Sequence, residues 1–452
     1  MLRRTAKSPA KHISADEAAS LVRSGMWLDM AGCLLQPNVF DAALANRIKD
    51  LRELKLRTCL SLKPIAIVEA DPEGAHVQNS CWHFSGYDRA KHDAGLCTYL
   101  PLNLGEVPDY YRRFLDPVDI VVIKTCPKDK DGIYNTGPTA VWIRALLEKA
   151  RLVIVEVNSS VPHVHGVDHG IHESEVDYVI DGGNAPLPEL PKAPASDIDH
   201  KVAHMIAPEI EDGSCIQIGI GTMPNAACSL LAESGIKDLG VHTEMLTDGI
   251  IDLYRAGRIT GAHKQLDVGK AVYTFALGSK YMYDTLENNP DFLCYPVDYT
   301  NLPHMIMRND KLVSINNTTQ MDLQGQAASE SDGHRHLTGT GGQLQFVRGA
   351  YASKGGKSFM LLSSTYEKKG QRKSRIVLNM TPGNIITTPR SDIMYVVTEY
   401  GMTNLKGKSV AERAKALIGM AHPDFREGLE REAYENGLIP KNISPVYKSA
   451  AE

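Results

Sequence analysis

Hydrophobic and polar positions in the first part of the chain predict strands that alternate with helices. Residues 118–124 are almost continuously apolar, which is typical of a strand covered on both faces. Residues 139–150 have a helical pattern, and Ser14-Ala-Asp-Glu17 has the capping-box sequence of a helix start. This alternation indicates βαβ units on a mostly parallel sheet, and therefore an α/β fold. The other strands predicted here are 27–31, 56–62, 65–69, 96–100 and 151–157.

The second part of the chain continues the same pattern. In residues 214–231, Ile216 and Ile218 alternate with polar neighbours, Gly219 and Gly221 form a turn, and a helix follows. A strand is also predicted at 239–245, a strand and turn at 390–401, and a helix with Ser409 as its N-cap at 408–421.

A proline-rich segment separates the two parts. Residues 181–196 contain prolines at 186, 188, 191 and 194 and no periodic apolar signal, which is typical of a linker. A chain of 452 residues is also too long for one ordinary core. We therefore predict an N-terminal domain at 1–181, a linker at 182–196 and a C-terminal domain at 197–452.

Composition restricts the classes of function. Hydrophobic residues make up 43% and charged residues 23% of the chain, as in globular proteins. The formal net charge of −5 does not provide the basic field of a nucleic-acid-binding protein, and no apolar stretch is long enough to cross a membrane. The eight cysteines are scattered without a C-x-x-C pair, so we expect reduced thiols and a cytoplasmic protein.

Glu244 is the strongest candidate for chemistry. It lies in the short apolar and hydroxylic segment 240–249, near the end of a predicted strand. A carboxylate at a strand end is most often exposed and idle, but here the turn Asp248-Gly249 and a downstream glycine-rich loop at 338–346 accompany it. We interpret Glu244 as a nucleophile, because a glutamate carboxylate is ionised at neutral pH and needs no separate base.

Two glycine-containing loops are candidate binding elements. The turn at Gly219–Gly221 does not match the dinucleotide fingerprint, because Pro224 stands where the third glycine would be. A strand-to-helix turn can still present backbone N–H groups to a developing negative charge, although a purely structural turn is the alternative. Gly341-Gly342 would allow close approach of a substrate, with a glycine-rich hairpin loop as the alternative.

Four histidines lie close together in the sequence, at 163, 165, 169 and 172, which raises the question of a metal site. We do not predict one. Gly166 and Gly170 interrupt any helix that would place these side chains on one face, and the H-E-x-x-H pattern is missing. We interpret them as neutral histidines in a loop at the rim of a pocket, whose role stays open.

Seven segments, in this order and spacing, carry a resemblance to a known family. They are Trp82-His-Phe-Ser-Gly86, Asn158 to Gly166, Gly219-Ile-Gly-Thr-Met-Pro-Asn225, His242-Thr-Glu-Met245, Gly339-Thr-Gly-Gly-Gln343, Thr398-Glu-Tyr-Gly401 and Ala421-His-Pro-Asp-Phe-Arg426. With them the chain resembles the acetyl-CoA hydrolase/transferase family, the branch of the class I CoA-transferases that includes 4-hydroxybutyrate and butyrate CoA-transferases. An itaconate CoA-transferase subgroup is an alternative within this family.

The resemblance implies two similar α/β domains with mostly parallel sheets and an active site at the domain interface. It implies that Glu244, in the C-terminal domain, is the catalytic residue. It also implies that the thioester oxygen and part of CoA are held by a set of residues around the two glycine loops, which are Ile220, Gly221, Asn316, Gly341 and Gly342. One departure from the family pattern is Gln345, which stands where the family usually has an acidic residue.

The implied function is transfer of CoA from acetyl-, butyryl- or succinyl-CoA to a small carboxylate such as 4-hydroxybutyrate, butyrate or itaconate. The reaction would be ping-pong through a glutamyl-CoA thioester, with CoA thioesters as substrates and no permanently bound cofactor or metal. A homo-oligomer without a nucleic-acid or membrane partner is expected. An acyl-CoA hydrolase and a CoA-binding regulatory protein without turnover are the alternative functions.

Overall fold

The computed structural model describes residues 5–6, 8–116, 118–191 and 193–447. The remaining positions, which include both ends of the chain and one residue of the predicted linker, lie outside the described residues. The α-helices are Ala15–Ser20, Asn38–Ala45, Ala66–Glu69, Gly86–Asp93, Val107–Arg113, Ile143–Lys149, Asp197–Ile206, Thr222–Glu233, Asp248–Arg255, Lys280–Leu286, Val297–Asn301, Pro303–Ile306, Gln343–Ala352, Val410–Met420 and Pro423–Glu435. None of them has the length and apolar character that a membrane span requires.

The chain forms two compact units that do not follow it continuously. The first unit combines Met1–Pro191 with Thr243–Asp248 and Lys270–Leu302, and the second contains Lys192–His242, Gly249–Gly269 and Pro303–Glu452. Glu244 therefore lies in the first unit, in contrast to the predicted C-terminal domain. The reason is strand pairing: Met245–Leu246 pairs with Phe275–Ala276, and Phe275 in turn bridges to Thr139. Sequence periodicity does not report such pairings.

An eight-stranded parallel sheet is the main feature of the first unit. Its strands, in spatial order, are Lys11–His12, Tyr178–Asp181, Leu152–Val157, Ile120–Thr125, Trp27–Asp29, Leu54–Thr58, Val77–Cys81 and Thr98–Tyr99. Every residue of Ile120–Thr125 is buried, as its continuous apolar pattern predicts. Phe40, Leu44, Leu56 and Ile154 belong to the hydrophobic core around this sheet.

Shorter strands complete the first unit. Ala271–Tyr273, Phe292–Cys294 and His165–Gly166 pair in parallel. Ile133–Asn135 pairs antiparallel with Gly170–His172.

The predicted strand at 65–69 is wrong, because the structure has the helix Ala66–Glu69 there. The cause is a tertiary contact: the buried carboxylate of Asp41 accepts hydrogen bonds from the backbone N–H groups of Ala66, at 2.7 Å, and Ile67, at 3.0 Å. These are the donors that a helix start leaves without partners. Burial raises the pKa of Asp41 to about 6. A distant side chain therefore caps a helix that the apolar pattern alone does not indicate.

Parallel strands also form the centre of the second unit. In spatial order they are Gly401–Asn404, Tyr395–Thr398, Lys357–Leu361, Leu312–Asn317, Cys215–Ile218 and Gly240–His242, of which only Gly401–Asn404 runs antiparallel to its neighbour. Smaller pairings are Gln320–Asp322 with Ala327–Ala328 and with Ile376–Val377, Ser331–Asp332 with Arg335–His336, and Thr365–Lys368 with Gln371–Ser374. The α/β fold with mostly parallel sheets is thus confirmed.

Strand register places several loops at one edge of this sheet. Ile218 lies beside Ile315, and Asn317 lies beside Leu361. The loops that leave the carboxyl ends of these three strands therefore start close together, at the edge where ligands of α/β sheets usually bind.

Two helix caps, at Ser14 and Ser409, agree with the capping motifs in the sequence. Ser14 and Glu17 form the predicted capping box, although the helix ends at Ser20 and not near Gly25. The Ser409 side chain caps the helix Val410–Met420. In return, the carboxylate of Glu412 accepts a hydrogen bond from the Ser409 backbone N–H at 2.7 Å. Glu412 is therefore structural.

Candidate active site

The backbone on both sides of Glu244 is fixed by hydrogen bonds within the first unit. Its carbonyl oxygen accepts from the N–H groups of Thr274, at 3.0 Å, and Phe275, at 3.3 Å, and the N–H of Thr243 donates to the carbonyl of Val272 at 3.0 Å. The Thr243 hydroxyl donates to the carbonyl of Met245 at 3.0 Å. The predicted strand 239–245 is thereby interrupted, and Glu244 stands just before the strand Met245–Leu246.

The side chain of Glu244 is half-buried and is held by Asn301. The Asn301 amide Nδ2 donates a hydrogen bond to Glu244 Oε2. Asn301 is fully buried, and its Oδ1 accepts from the Thr300 hydroxyl at 2.8 Å, which fixes the amide so that its NH₂ group faces the carboxylate. A donor to the ionised carboxylate favours the charged form, which is the form that attacks a carbonyl carbon.

Sequence reasoning does not find Asn301. It ends the short helix Val297–Asn301, and it lies 57 positions after Glu244 with no motif that links the two. Only the folded chain brings the amide to the carboxylate.

Cys59 lies in the electrostatic neighbourhood of Glu244, and Cys33 lies near Cys59. Burial raises the pKa of the Cys59 thiol well above its ordinary value, and the nearby Cys33, Asp88 and Glu244 raise it further. Burial likewise raises the pKa of Cys33 to about 12. All eight cysteines of the chain are buried and have unpaired thiols.

The loop that carries Cys33 has an unusual backbone. Ala31, Gly32 and Cys33 have consecutive positive φ angles of 59°, 109° and 53°. A Cβ on Gly32 would lie 2.2 Å from the carbonyl oxygen of Cys59, so only glycine fits there. The loop is also anchored by Asp29, whose Oδ1 accepts from the Ala31 N–H at 2.8 Å.

In the second unit, the turn at Gly219–Gly221 leads from the strand Cys215–Ile218 into the helix Thr222–Glu233. Gly221 has a φ of 133°, and a Cβ there would lie 2.5 Å from Asn317 Nδ2. Asn317 Nδ2 donates to the carbonyl of Ile220 at 3.1 Å, which holds the turn in place. Ile220 is 59% exposed, so this part of the turn is open to solvent. The helix N–H groups that follow Gly221 are suited to an anionic ligand.

Asn316, for which the family resemblance implies CoA or oxyanion binding, makes side-chain hydrogen bonds with Gln217. It is buried, and its amide makes reciprocal hydrogen bonds with Gln217, with Nδ2 donating to Oε1 at 2.9 Å and Oδ1 accepting from Nε2 at 3.1 Å. Asn316 Oδ1 also lies beside the glycine turn, where a Cβ on Gly219 would be 3.0 Å from it. The neighbouring Asn317 reaches Ile220 in the same turn.

Gly341 and Gly342 precede the helix Gln343–Ala352. Gly341 has a φ of 56°, and Gly342 is the N-cap of the helix without a side-chain cap. Gln343 Nε2 donates to the carbonyl of Asn317 at 2.7 Å. The second unit therefore brings the two glycine loops together around Asn317.

The histidine loop is held by local contacts. His169 Nε2 lies 2.9 Å from both Asn135 Nδ2 and the carbonyl of Val164, and burial lowers the pKa of this imidazole. His163 Nε2 is 4.0 Å from Asp129 Oδ2. Within the part of the chain that the structure describes, no three histidine, cysteine, aspartate or glutamate side chains are grouped to hold a metal ion.

Comparison with known families covers both parts of the chain. The model of the acetyl-CoA hydrolase/transferase N-terminal domain matches residues 2–191, and that of the C-terminal domain matches residues 278–433. The chain belongs to the acetyl-CoA hydrolase/transferase family. This confirms the resemblance in the motifs and the expectation of an enzyme, and Glu244 lies between the two matched segments.

Individual relatives align over most of their length. A butyryl-CoA:acetate CoA-transferase of Anaerostipes caccae is 44% identical over 423 residues, which cover 93% of this chain and 95% of the relative. A 4-hydroxybutyrate coenzyme A transferase of Clostridium kluyveri is 41% identical over 357 residues, 79% of this chain and 82% of the relative. The crystal structure of RipA from Yersinia pestis is similar with a TM-score of 0.87 at 36% identity, covering 95% of this chain and 98% of RipA.

The substitution Gly221→Ala tests the geometry of the first glycine turn. We expect the apparent melting temperature of the variant to fall by about 2 to 4 °C. The reason is that a Cβ at position 221 would meet Asn317 Nδ2, and that the φ angle of Gly221 is positive. Thermal unfolding followed by circular dichroism measures the change. Gly235→Ala is the matched control, since a Cβ there meets no atom within 4 Å. Adding Asn317→Ala to Gly221→Ala should restore part of the loss, and equal melting temperatures for all variants would contradict the packing described.

Proposed function

We propose that this enzyme transfers CoA from a short-chain acyl-CoA to a small carboxylate through a covalent glutamyl-CoA thioester on Glu244. The contact between Asn301 and the Glu244 carboxylate carries the proposal, because it positions a carboxylate whose backbone is already fixed by Thr274 and Phe275. The relatives named as butyryl-CoA:acetate and 4-hydroxybutyrate CoA-transferases support the same reaction class.

The first half-reaction conserves the energy of the thioester. The Glu244 carboxylate attacks the acyl carbon of the acyl-CoA, the carbon–sulfur bond breaks, and CoA leaves as a thiolate. An acyl-glutamyl anhydride remains on the enzyme. The thiolate then attacks the glutamyl carbonyl carbon, the bond to the acyl carboxylate breaks, and the first free acid leaves with the electron pair. The product on the enzyme is glutamyl-CoA.

The second half-reaction reverses these steps with another carboxylate. The acceptor attacks the glutamyl thioester, CoA thiolate is released, and the thiolate attacks the acyl carbon of the new anhydride. Glu244 is then regenerated as a carboxylate. No proton has to be taken up or released in this sequence, so a general base is not required.

Each addition step places negative charge on a carbonyl oxygen. We propose that backbone N–H groups at Ile220, Gly221, Gly341 and Gly342 serve as donors to such oxygens or to CoA. Both loops precede helices, whose first N–H groups lack partners within the helix and carry partial positive charge. Loss of one such donor reduces rates on the order of a hundredfold or more in enzymes that stabilise oxyanions.

Replacement of Glu244 tests the covalent step. We expect Glu244→Ala to lower the rate of CoA exchange by about 10⁴-fold or more, since no other group takes over the attack. The assay follows exchange between acetyl-CoA and butyrate by chromatography. Mass spectrometry of the wild type incubated with acyl-CoA should show an adduct equal to CoA minus water, which Glu244→Ala lacks.

Glu427→Gln, at an exposed position of the helix Pro423–Glu435, is the control and should keep full exchange. Exchange that persists in Glu244→Ala would contradict the assignment. Release of CoA thiol that needs no acceptor acid would indicate the hydrolase instead.

Replacement of Asn301 tests how the nucleophile is positioned. We expect Asn301→Ala to lower kcat about tenfold to a hundredfold, because a hydrogen bond to a charged group is lost. The acid limb of the pH–rate profile should also move to higher pH, since the ionised carboxylate loses a donor. Asn46→Ala, at an exposed position after the helix Asn38–Ala45, should change neither quantity. A lower kcat with an unmoved acid limb would assign Asn301 a purely structural role.

We propose a C4 monocarboxylate, butyrate or 4-hydroxybutyrate, as the preferred acceptor. The names of the aligned relatives support this choice, and itaconate or succinate is the second candidate. In an acceptor screen with acetyl-CoA and with succinyl-CoA, butyrate and 4-hydroxybutyrate should give the highest kcat/KM. Higher values for itaconate or succinate would instead indicate a dicarboxylate enzyme, in which a cation such as Lys63 could meet the second carboxylate.

A further inference from the structure

A short basic hairpin projects from the second unit. Its strands Thr365–Lys368 and Gln371–Ser374 pair antiparallel, with Tyr366 opposite Lys373 and Lys368 opposite Gln371. The segment 368–375 contains five basic side chains, at 368, 369, 372, 373 and 375, and no acidic one. In a chain with a net charge of −5 this is a strong local concentration of positive charge.

The two faces of the hairpin carry different sets of charged side chains. Because side chains alternate along a strand, Tyr366, Lys368 and Lys373 lie on one face, while Glu367 and Arg372 lie opposite each other on the other face. Arg372 is also paired with Asp424 at 3.2 Å. The positive charge of that second face is therefore largely compensated within the chain.

The face with Tyr366, Lys368 and Lys373 has positive charge that is largely uncompensated. Lys368 Nζ contacts Asp332 at 3.3 Å, whereas Lys373 makes no ion pair with any of the residues that the structure describes. Arg375, directly after the hairpin, places its guanidinium 4.9 Å from the Tyr366 ring. This face thus offers Lys368, Lys373 and Arg375 against a single carboxylate, next to an aromatic ring.

The hairpin starts from the same sheet edge as the glycine turn. It follows the strand Lys357–Leu361, and the Leu361 carbonyl accepts from the N–H of Thr318 at 2.9 Å. At its base, Arg375 Nη1 donates to the carbonyl of Thr319 at 2.8 Å. Thr319 is two positions after Asn317, whose amide holds the carbonyl of Ile220. A ligand at the glycine turn and a ligand on the hairpin could therefore be parts of one molecule.

A basic surface of this kind suits the proposed substrate. The nucleotide end of CoA carries a 3′-phosphate and a diphosphate, and a local basic region on a protein with net negative charge strengthens the attraction for such a group. Lysine and arginine form short, charge-assisted hydrogen bonds with phosphate oxygens. We propose that the hairpin face formed by Lys368, Lys373 and Arg375 binds the phosphate groups at the nucleotide end of CoA. This inference rests on the proposed CoA-transferase function.

A charge reversal at Lys373 tests the inference. We expect Lys373→Glu to lower kcat/KM for acetyl-CoA about tenfold or more, through KM, because one charge-assisted contact is lost and a repulsive one is added. For S-acetylpantetheine, which lacks the phosphates of the nucleotide end, the ratio of variant to wild type should stay within about twofold. Lys373→Arg should keep most of the wild-type value for acetyl-CoA. Lys201→Glu, an exposed lysine on the helix Asp197–Ile206, is the matched control and should affect neither substrate.

A binding measurement separates this inference from the proposed function. Calorimetric titration with adenosine 3′,5′-bisphosphate requires no turnover, and we expect Lys373→Glu to weaken binding about tenfold relative to the wild type and to Lys201→Glu. Equal losses with acetyl-CoA and S-acetylpantetheine, or no loss in either assay, would overturn the hairpin site while leaving CoA transfer intact. If the wild type transfers no CoA to any carboxylate, the proposed function fails, whatever the titration gives.

Discussion

The glycine turn of the second unit and the segment around Glu244 in the first unit both depend on parallel strand pairing. In the second unit, the neighbouring positions of Ile218 and Ile315 make two strands end together, so their loops leave from one edge. In the first unit, a short parallel pair holds the chain directly after Glu244. In both cases, backbone hydrogen bonds fix the point from which each functional side chain starts.

In the proposed mechanism, Glu244 changes from a carboxylate to a thioester, and the neutral amide of Asn301 contacts it. The NH₂ group of this amide can donate to a carboxylate oxygen or to a thioester carbonyl. The contact between Asn301 and Glu244 is therefore compatible with both the free carboxylate and the proposed thioester.

The sequence predicts those features that depend on local pattern. The buried strand Ile120–Thr125 follows from its apolar run, and the caps at Ser14 and Ser409 follow from short motifs. Prediction from the sequence fails where a residue far away in the chain determines the local structure. Asp41 turns a predicted strand into a helix, and Asn301 reaches Glu244 without any shared motif. The pairing of segments from separate parts of the chain is invisible to periodicity for the same reason.

The buried cysteines have a consequence for chemical selectivity. The thiolate is the nucleophilic form of a thiol, so a cysteine whose pKa is raised by burial is almost unreactive at neutral pH. Cys33 and Cys59 are in this state, and Glu244 contributes to it at Cys59. An acyl anhydride or thioester on Glu244 would otherwise be open to capture by a protein thiol, which would leave an acylated cysteine and a dead enzyme. In the proposed mechanism, protonated Cys33 and Cys59 would not compete with the CoA thiolate for such an intermediate.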